Sequence, residues 1–379
     1  MKKGIRAKIW DGKQFTAGWL TYDKGVITKV SFSSPSPKRA AELHDLSGRS
    51  IMPGFVDTLL HGYAGVDCGE GTAARLQKMT QSLVRTGVTT ALAGFYPTKN
   101  DGLQRAARNW NSWSALGGKR THIAGWHVEG PFVAREMSGA LPKAAMRKPS
   151  AKTAQEFVDA CGGWLTMTTL APELEGAFEA SEVLRANKVI PSVGHSRATA
   201  LDCEVLRANG KIAATHLGNR MTSLSARELG PIGAAMRGEI DYAAVIPDMI
   251  HVGGDTLNLW ANTPKLKNKL MACSDNLSHA GLRAKSFKAG GKLLSRSGAV
   301  AVDRRGGLGG TLDSLPELLL RAHRDGVLSF EQVVRMGCQV AGDMLGDCGR
   351  LKEGRRADFV EYVVSENNIG QVWCKGRKV

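Results

Sequence analysis

Four short apolar runs in this chain each end in a histidine or a carboxylate residue. The runs are IAGWHVE (123–129), KVIPSVGH (188–195), KIAATH (211–216) and KLMACSD (269–275), and they end at Glu129, His195, His216 and Asp275. Short apolar runs bounded by turns are typical of buried β-strands. Because the strands of a parallel barrel end on one rim, we expect the four side chains to lie close together.

The order of the other segments extends this prediction to the whole chain. Apolar strand-like runs such as 88–96 alternate with amphipathic stretches such as 72–87 and 312–326, from about Pro53 to Met344. This alternation is typical of an α/β fold with a parallel sheet. Both ends of the chain have β character, and we expect them to form one small domain. The sequence thus predicts a (β/α)8 TIM-like barrel with a small β-sandwich domain built from both termini, divided into residues 1–50, 51–345 and 346–379.

The basic composition does not by itself indicate a nucleic-acid partner. Lysine and arginine number 51 against 35 acidic residues, which gives a net charge of +16. These residues are dispersed among acidic ones and are not interleaved with aromatic residues, so we expect no nucleic-acid binding. A positive field also attracts a small anionic substrate, and we favour that interpretation.

Cysteine usage and hydrophobicity indicate the compartment. The seven cysteines are scattered without a CxxC pair, which is typical of free thiols in a reducing cytoplasm. No apolar run reaches the roughly 18 residues of a membrane span, and no apolar segment follows the basic residues at the start. We therefore expect a cytoplasmic protein with no membrane partner.

The residues that end the first three of these apolar runs form a candidate metal site. A catalytic zinc site needs about three nitrogen or carboxylate ligands and one open position for water. Glu129, His195 and His216 supply such a set from three different strand ends. Taken singly, each histidine is also compatible with a structural role. Together, the three residues suggest a metal-dependent hydrolase.

Two further residues are candidates for acid–base and electrostatic roles. Asp275 could take a proton from a metal-bound water and return it to a leaving amine. Alternatively, Asp275 in the segment SDN could cap the next helix. His251 follows the apolar run YAAVIP and could stabilise developing charge on a carbonyl, or it could be a loop histidine. The glycines of residues 306–310 predict a flexible loop that approaches a ligand closely.

A series of motifs in fixed order carries a family resemblance. They are IMPGFVDTLLHGYAGVD (51–67), WHVEGPF (126–132), VGHSRA (193–198), ATHLGNRM (214–221), PDMIHV (247–252) and SDNLSHAG (274–281). In this order they resemble the N-acetylglucosamine-6-phosphate deacetylases of the amidohydrolase superfamily, over almost the whole chain. The barrel with a small β-domain from both termini is also a feature of that family.

The resemblance implies specific roles for the candidate residues. One divalent metal ion per chain, zinc, would be held by Glu129, His195 and His216. Asp275 would activate the water and protonate the departing amine. His251 would contact the substrate and polarise its acetamide carbonyl.

The resemblance also implies how the sugar phosphate is bound. Arg227 matches the arginine that reaches the phosphate, from its own subunit or across the interface of a homodimer. Asn219 matches the asparagine of the family's HL.NAM motif, and its neighbour Arg220 lies in the same substrate-binding segment. His61 matches the second histidine of the motif that opens the barrel.

Several positions depart from the family pattern. Leu59 stands where metal-rich relatives have the first histidine of an HxH pair, which predicts a single metal ion. Gly218 and Arg220 alter the HL.NAM motif, Leu141 lies near a substrate-contacting histidine of some relatives, and Met249 replaces the glycine of a DGxH motif. Three alternatives remain open: a deacylase for another N-acylated amino-sugar phosphate or N-acyl compound, a non-catalytic relative that binds sugar phosphates, and a basic nucleic-acid-binding protein.

Overall fold

A parallel eight-stranded sheet forms the centre of the computed structural model, which describes residues 4–289 and 292–379. Its strands are Phe55–Leu60, Val88–Phe95, His122–Phe132, Leu165–Leu170, Ile190–Val193, Ala213–Ala214, Tyr242–Val245 and Leu270–Ala272. Each strand pairs with the next one along the chain. The segment after the last strand is hydrogen-bonded to the first strand, which closes the barrel. The N–H of Asp275 donates to the carbonyl of Leu59 (2.9 Å), and the N–H of His61 donates to the carbonyl of Asn276 (2.9 Å). The predicted barrel is confirmed.

Helices alternate with the barrel strands and cover their outer face. In the described part of the chain the α-helices are Pro37–Ala41, Ala73–Leu83, Asn100–Ser114, Ala151–Ala160, Ala177–Ala186, Ala200–Ala208, Gly230–Met236, Gly254–Asn262, Leu315–Arg324, Phe330–Val334 and Val340–Leu345. Shorter helical turns are Val84–Thr86, Arg135–Met137, Lys143–Ala145 and the π-helical Arg335–Gln339. The side chains of Thr199 and Asp202 form a capping box that fixes the start of one helix.

Apolar side chains fill both the barrel interior and the layer beneath the helices. Val56, Leu92, Met167, Ala244 and Met271 come from five different strands and are at most 2% exposed. Such layers of side chains from alternate strands make the barrel centre a packed core and not a pore. The functional residues must therefore lie at one end of the barrel. None of the described helices is both long and apolar enough to cross a membrane.

Both ends of the chain contribute to one seven-stranded sheet. Its strands are Gly4–Trp10, Phe15–Asp23, Val26–Ser31, His44–Pro53, Phe359–Val363, Asn368–Cys374 and Arg377–Lys378. The N-terminal strand His44–Pro53 pairs antiparallel with the C-terminal strand Phe359–Val363. Ile9, Leu20 and Phe359 lie in its core, and each is fully buried. The small domain is thus built from both termini, while the boundaries at residues 50 and 345 stay a prediction.

A four-stranded antiparallel sheet lies beyond the last barrel strand and was not anticipated from the sequence. Its strands are Ser286–Ala289, Lys292–Ser297, Val300–Val302 and Leu308–Thr311. A two-stranded ribbon, Gly62–Tyr63 with Val66–Asp67, follows the first barrel strand. The predicted glycine loop at 306–310 is therefore wrong in part. Gly309 and Gly310 belong to a strand, and the next residue, Thr311, accepts the N–H of Leu277 (3.1 Å).

A buried carboxylate, Asp57, joins the first and last barrel strands. Its Oδ1 accepts the backbone N–H groups of Ser274 (3.0 Å) and Leu59 (3.3 Å), and the residue is 0% exposed. Burial raises the pKa of Asp57 from 3.8 to about 6, although the hydrogen bonds that it accepts act in the opposite direction. The closure of the barrel therefore includes a carboxylate that is costly to ionise.

We expect Asp57→Asn to stabilise the metal-free protein at neutral pH. The folded chain holds this proton more tightly than the unfolded chain, so the wild-type free energy of unfolding falls as pH rises from 3.8 to about 6. The amide stays uncharged and its oxygen can accept the same N–H groups, so the variant avoids a loss of up to about 3 kcal/mol. Urea unfolding at about pH 4 and about pH 7.5 tests this expectation. An equal gain at both pH values would contradict it.

Candidate active site and metal centre

Three histidine side chains surround the buried carboxylate of Glu129. Its Oε1 lies 2.8 Å from Nε2 of His216 and 3.3 Å from Nε2 of His195. Its Oε2 lies 3.1 Å from Nε2 of His61. All four side chains are at most 5% exposed. Three histidines from separate segments at the carboxyl ends of barrel strands thus contact one carboxylate.

Three residues that follow barrel strands have an uncommon backbone conformation. His195, His216 and Asp275 have φ values of 47°, 30° and 51°, in the left-handed region that residues other than glycine rarely adopt. Each such residue costs roughly 1–3 kcal/mol, and such strain is concentrated at functional sites. Backbone hydrogen bonds to other segments hold these conformations: the N–H of Asp275, for example, donates to the carbonyl of Leu59.

The hydrogen bond of the His195 ring to a backbone carbonyl indicates that a positively charged group lies between this ring and Glu129. Its Nδ1 lies 2.8 Å from the carbonyl oxygen of Met137, which can only accept, so Nδ1 carries a proton. In the neutral ring, Nε2 would then point a lone pair at the Glu129 carboxylate. A cation or a second proton must therefore lie between them. The backbone carbonyl of Met137 fixes the tautomer that a metal-ligating histidine needs.

The donor set at this position fits a divalent ion. One carboxylate oxygen and two imidazole nitrogens, from Glu129, His195 and His216, lie within 4.8 Å of one another. Zinc sites use such mixed nitrogen and oxygen ligands. Nδ1 of His216 is buried without a hydrogen-bond partner in the described structure. These three residues form a candidate metal-binding cluster.

His61 forms a second group with the same glutamate. Its Nε2 lies 3.2 Å from Oδ1 of Asp275 and 3.1 Å from Glu129, and these three residues could also hold an ion. Burial acts to lower the pKa of His61, but the carboxylates of Asp275 and Glu129 raise it to about 10. Burial likewise acts to raise the pKa of Glu129, yet the surrounding histidines hold it well below its ordinary value.

The position of His61 differs from the one expected of a substrate contact. Its side chain is 1% exposed, and its ring stacks on Tyr96 with a centroid distance of 4.1 Å. Tyr96, Glu129 and Asp275 line the cavity, whereas His61 is not among the lining residues. The geometry groups His61 with the carboxylates of Glu129 and Asp275 and not with the cavity wall.

His251 lies beside a carboxylate that the sequence analysis did not single out. Its Nδ1 is 2.6 Å from Oδ2 of Asp248, which is 2% exposed. The other oxygen, Oδ1, accepts the N–H groups of Ile250 and His251. The intervening Met249 has a φ of 64°, a left-handed conformation that glycine adopts with less strain than methionine. The Asp248 contact fixes the ring so that Nε2 is free for another partner.

A cavity of about 300 Å³ opens above the cluster. It is lined by Tyr96, Glu129, Ala140, Leu141, His195, His216, Gly218, Asn219, Arg220, Ile246, His251, Asp275, Leu308, Gly309 and Gly310. Of the predicted substrate-binding residues, Asn219, Arg220 and His251 lie on this wall. Arg227 does not: it is exposed on the loop before the helix Gly230–Met236. Within one subunit, the structure thus separates Arg227 from the other predicted contacts.

Some residues of the site leave little trace in the sequence. The carbonyl of Met137 contacts His195 across 58 positions, and a backbone acceptor has no sequence signature. Tyr96 directly follows the strand Val88–Phe95, much as His195 and His216 follow theirs, and this is a signal in the sequence. Asp248 could also have been found, because a carboxylate three residues before a histidine can reach its ring.

Comparisons with known proteins agree with this geometry. Residues 50–379 match the model of the Amidohydrolase family. N-acetylglucosamine-6-phosphate deacetylase from Bacillus subtilis (strain 168) is 28% identical over 380 residues, covering 98% of this chain and 94% of the relative. N-acetylgalactosamine-6-phosphate deacetylase from Escherichia coli O157:H7 is 26% identical over 372 residues, covering 95% of each.

A solved structure is similar over the same extent. It is a mutant of N-acetyl-D-glucosamine-6-phosphate deacetylase from Mycobacterium smegmatis in complex with N-acetyl-D-glucosamine-6-phosphate. The TM-score is 0.86 at 25% identity, with 99% of this chain and 98% of that chain covered. The amidohydrolase family is metal-dependent, in agreement with the cluster around Glu129. Since the family model matches most of its length, this chain belongs to the amidohydrolase family.

Proposed function

We propose that the protein hydrolyses the acetamide of N-acetylglucosamine 6-phosphate to give glucosamine 6-phosphate and acetate. The observation that carries the proposal is the convergence of Glu129, His195, His216 and Asp275 on the floor of one cavity. The names of the most similar relatives, and the sugar phosphate bound to one of them, support this substrate class. Deacetylation of N-acetylgalactosamine 6-phosphate is the second candidate, because relatives with that name are about as similar.

Glu129, His195 and His216 would hold one divalent ion per chain, and we propose zinc. When bound, such an ion supplies Lewis-acid polarisation of the carbonyl and lowers the pKa of a coordinated water. Leu59, which is 0% exposed, offers no ligand atom beside His61. The lack of a ligand atom at Leu59 supports a single occupied site, since the second group, around His61, has only Glu129 and Asp275 beside it.

Asp275 is the proposed general base and acid. Its side chain is 15% exposed and lies on the cavity wall, so it can reach both water and substrate. Its backbone is fixed on both sides: its N–H donates to Leu59 (2.9 Å) and its carbonyl accepts from Thr311 (3.1 Å). The carboxylate would take a proton from the attacking water and deliver it to the leaving amine.

His251 is the proposed donor to the acetamide oxygen. With Nδ1 directed at Asp248, a proton on Nε2 makes the ring cationic, and the carboxylate at 2.6 Å balances that charge. The ring is thus held in a fixed orientation toward the cavity. A positioned donor of this kind stabilises the negative charge that develops on a carbonyl under attack.

The remaining proposed contacts are those to the sugar phosphate. Asn219 and Arg220 line the cavity, whereas Arg227 is exposed outside it. Arg227 could reach a phosphate only in another subunit, so its proposed role requires a homodimer. The exposed apolar side chains of Leu224 and Leu229, on the same loop, support an interface there. The seven cysteines are buried and unbridged, which supports the proposed cytoplasmic location.

Metal analysis tests the proposed ligands. We expect the purified protein to contain about one tightly bound zinc ion per chain. Glu129→Gln should lose most of this metal because a neutral amide replaces the central carboxylate. Asp275→Asn should retain it and serves as the matched control. Two ions per chain at full activity, measured by elemental analysis, would refute the single-ion proposal.

An acetate-release assay tests the proposed substrate. We expect the highest kcat/KM for N-acetylglucosamine 6-phosphate among a panel that includes N-acetylgalactosamine 6-phosphate, unphosphorylated N-acetylglucosamine and an N-acetylated amino acid. The candidate metal ligands and the basic Arg220 on one cavity favour a phosphorylated N-acetyl sugar, and the names of the relatives favour the glucosamine compound. A preference for the galactosamine compound would select the second candidate. A preference for the amino acid would reject both sugar phosphates.

Two substitutions separate proton transfer from metal binding. Asp275→Asn should lower kcat about 10²–10⁴-fold, the usual effect of losing a general base. His251→Asn should lower kcat about 10²–10³-fold, the effect of removing one donor to the developing oxyanion. Both variants should keep their metal, since neither proposed role is that of a ligand. Near-normal turnover of Asp275→Asn, or metal loss in His251→Asn, would disprove the corresponding assignment.

A further inference from the structure

The candidate active-site cavity adjoins a second, smaller cavity, and Arg220 lies at the boundary. The smaller cavity has a volume of about 50 Å³. Five residues line both cavities: Tyr96, Ala140, Arg220, Leu308 and Gly309. A volume of this size suits one compact group of a few heavy atoms and not a sugar ring. A substrate in the larger cavity could therefore extend one substituent past Arg220.

The side chain of Arg220 occupies a place that the neighbouring backbone leaves open. Gly139 lies against it, and a Cβ atom on that glycine would stand 2.6 Å from Nε of Arg220. Gly139 has a φ of 56°, which also disfavours a side chain. The carbonyl of Arg220 accepts the N–H of Ser196 (3.0 Å), so the loop is anchored beside His195. These contacts hold the arginine at the boundary between the two cavities.

The charge of Arg220 is not compensated within the described part of the chain. Its side chain is exposed, lines both cavities, and makes no hydrogen bond or ion pair there. The other charged residues on the smaller cavity are Lys292 and Asp303, whose charges offset each other. Asp303 is also engaged by the N–H groups of Arg305 and Gly307. The net charge facing the smaller cavity is thus the positive charge of Arg220.

We propose that Arg220 is the main phosphate-binding residue of this chain and that the smaller cavity receives the phosphoryl group of the substrate. The inference rests on the proposed deacetylase function. A guanidinium presents paired donors that match two oxygens of a phosphate. The phosphate is then recognised within one subunit, and Arg227 contributes less to binding than Arg220 does. Arg220 is a specificity-determining residue, since it acts at a distance from the amide that reacts.

Steady-state kinetics with paired substrates tests the proposal. Arg220→Ala should raise KM for N-acetylglucosamine 6-phosphate about 10–100-fold, as for truncating a charge-assisted contact. The change in KM for the unphosphorylated sugar should be much smaller, and kcat should change little for either substrate. Arg220→Lys should restore part of the affinity, because it keeps the charge without the fork. Gly139→Ala should reproduce the selective rise in KM to a smaller extent.

Matched arginine variants provide the controls. Arg227→Ala should raise KM for the phosphorylated sugar less than Arg220→Ala does, and Arg237→Ala, an exposed arginine paired with Glu239, should raise it not at all. Equal rises in KM for both substrates in Arg220→Ala would overturn the proposal, since they indicate a structural role. A larger effect in Arg227→Ala would overturn it as well.

A binding measurement separates this inference from the proposed function. Calorimetric titration with glucosamine 6-phosphate and with inorganic phosphate needs no turnover. If the enzyme releases no acetate but Arg220→Ala abolishes binding of both anions, the deacetylase proposal fails and the anion site stands. If the enzyme is active but Arg220→Ala binds these anions as tightly as wild type, the anion site is refuted and the deacetylase proposal stands.

Discussion

The burial of the Glu129 carboxylate is the constraint on which the rest of the site depends. Removing an ionised carboxylate from water costs several kcal/mol unless positive charge and hydrogen bonds compensate it. The compensating groups are imidazoles at 2.8–3.3 Å, and they come from His61, His195 and His216, at the ends of three other strands. None of these groups lies near Glu129 in sequence. The site therefore forms only when the whole barrel has closed.

Barrel closure places the last of these groups. Asp57 and Asn276 join the first strand to the segment after the last one, and this junction brings His61 against Asp275. Thr311 extends the junction into the four-stranded sheet, because its N–H donates to the carbonyl of Asp275. Gly309 and Gly310, which line the cavity, lie on the same edge strand as Thr311. The proposed general base is thus held in place by the same contacts that close the fold.

The sequence predicted the parts of the molecule that have a local signature. Strand-like runs with a polar residue at or near the end predicted that Glu129, His195, His216 and Asp275 lie close together, and the structure brings them to one cavity. A strand's periodicity and its end are both readable in a few residues. The strands between Ser286 and Thr311 were missed: they are short, and what defines them is pairing with each other and with Asn276. The stacking of His61 on Tyr96 was missed for the same reason, since contacts between rings from separate segments leave no periodic pattern.

Chemistry and recognition have different structural supports in this chain. The candidate metal ligands and Asp275 are at the ends of barrel strands, whereas Arg220, Leu141 and Gly309 belong to loops or to the added sheet. Strand ends are fixed by the barrel, so a change there alters the whole site. Loops tolerate exchanges of residues better than barrel strands do, although Met249 and Arg220 both hold strained left-handed conformations there. Of the named departures from the family pattern, Leu59 lies on the first barrel strand, whereas Leu141, Gly218, Arg220 and Met249 lie in loops, where a change of residue can alter the preferred substrate without moving the candidate metal ligands.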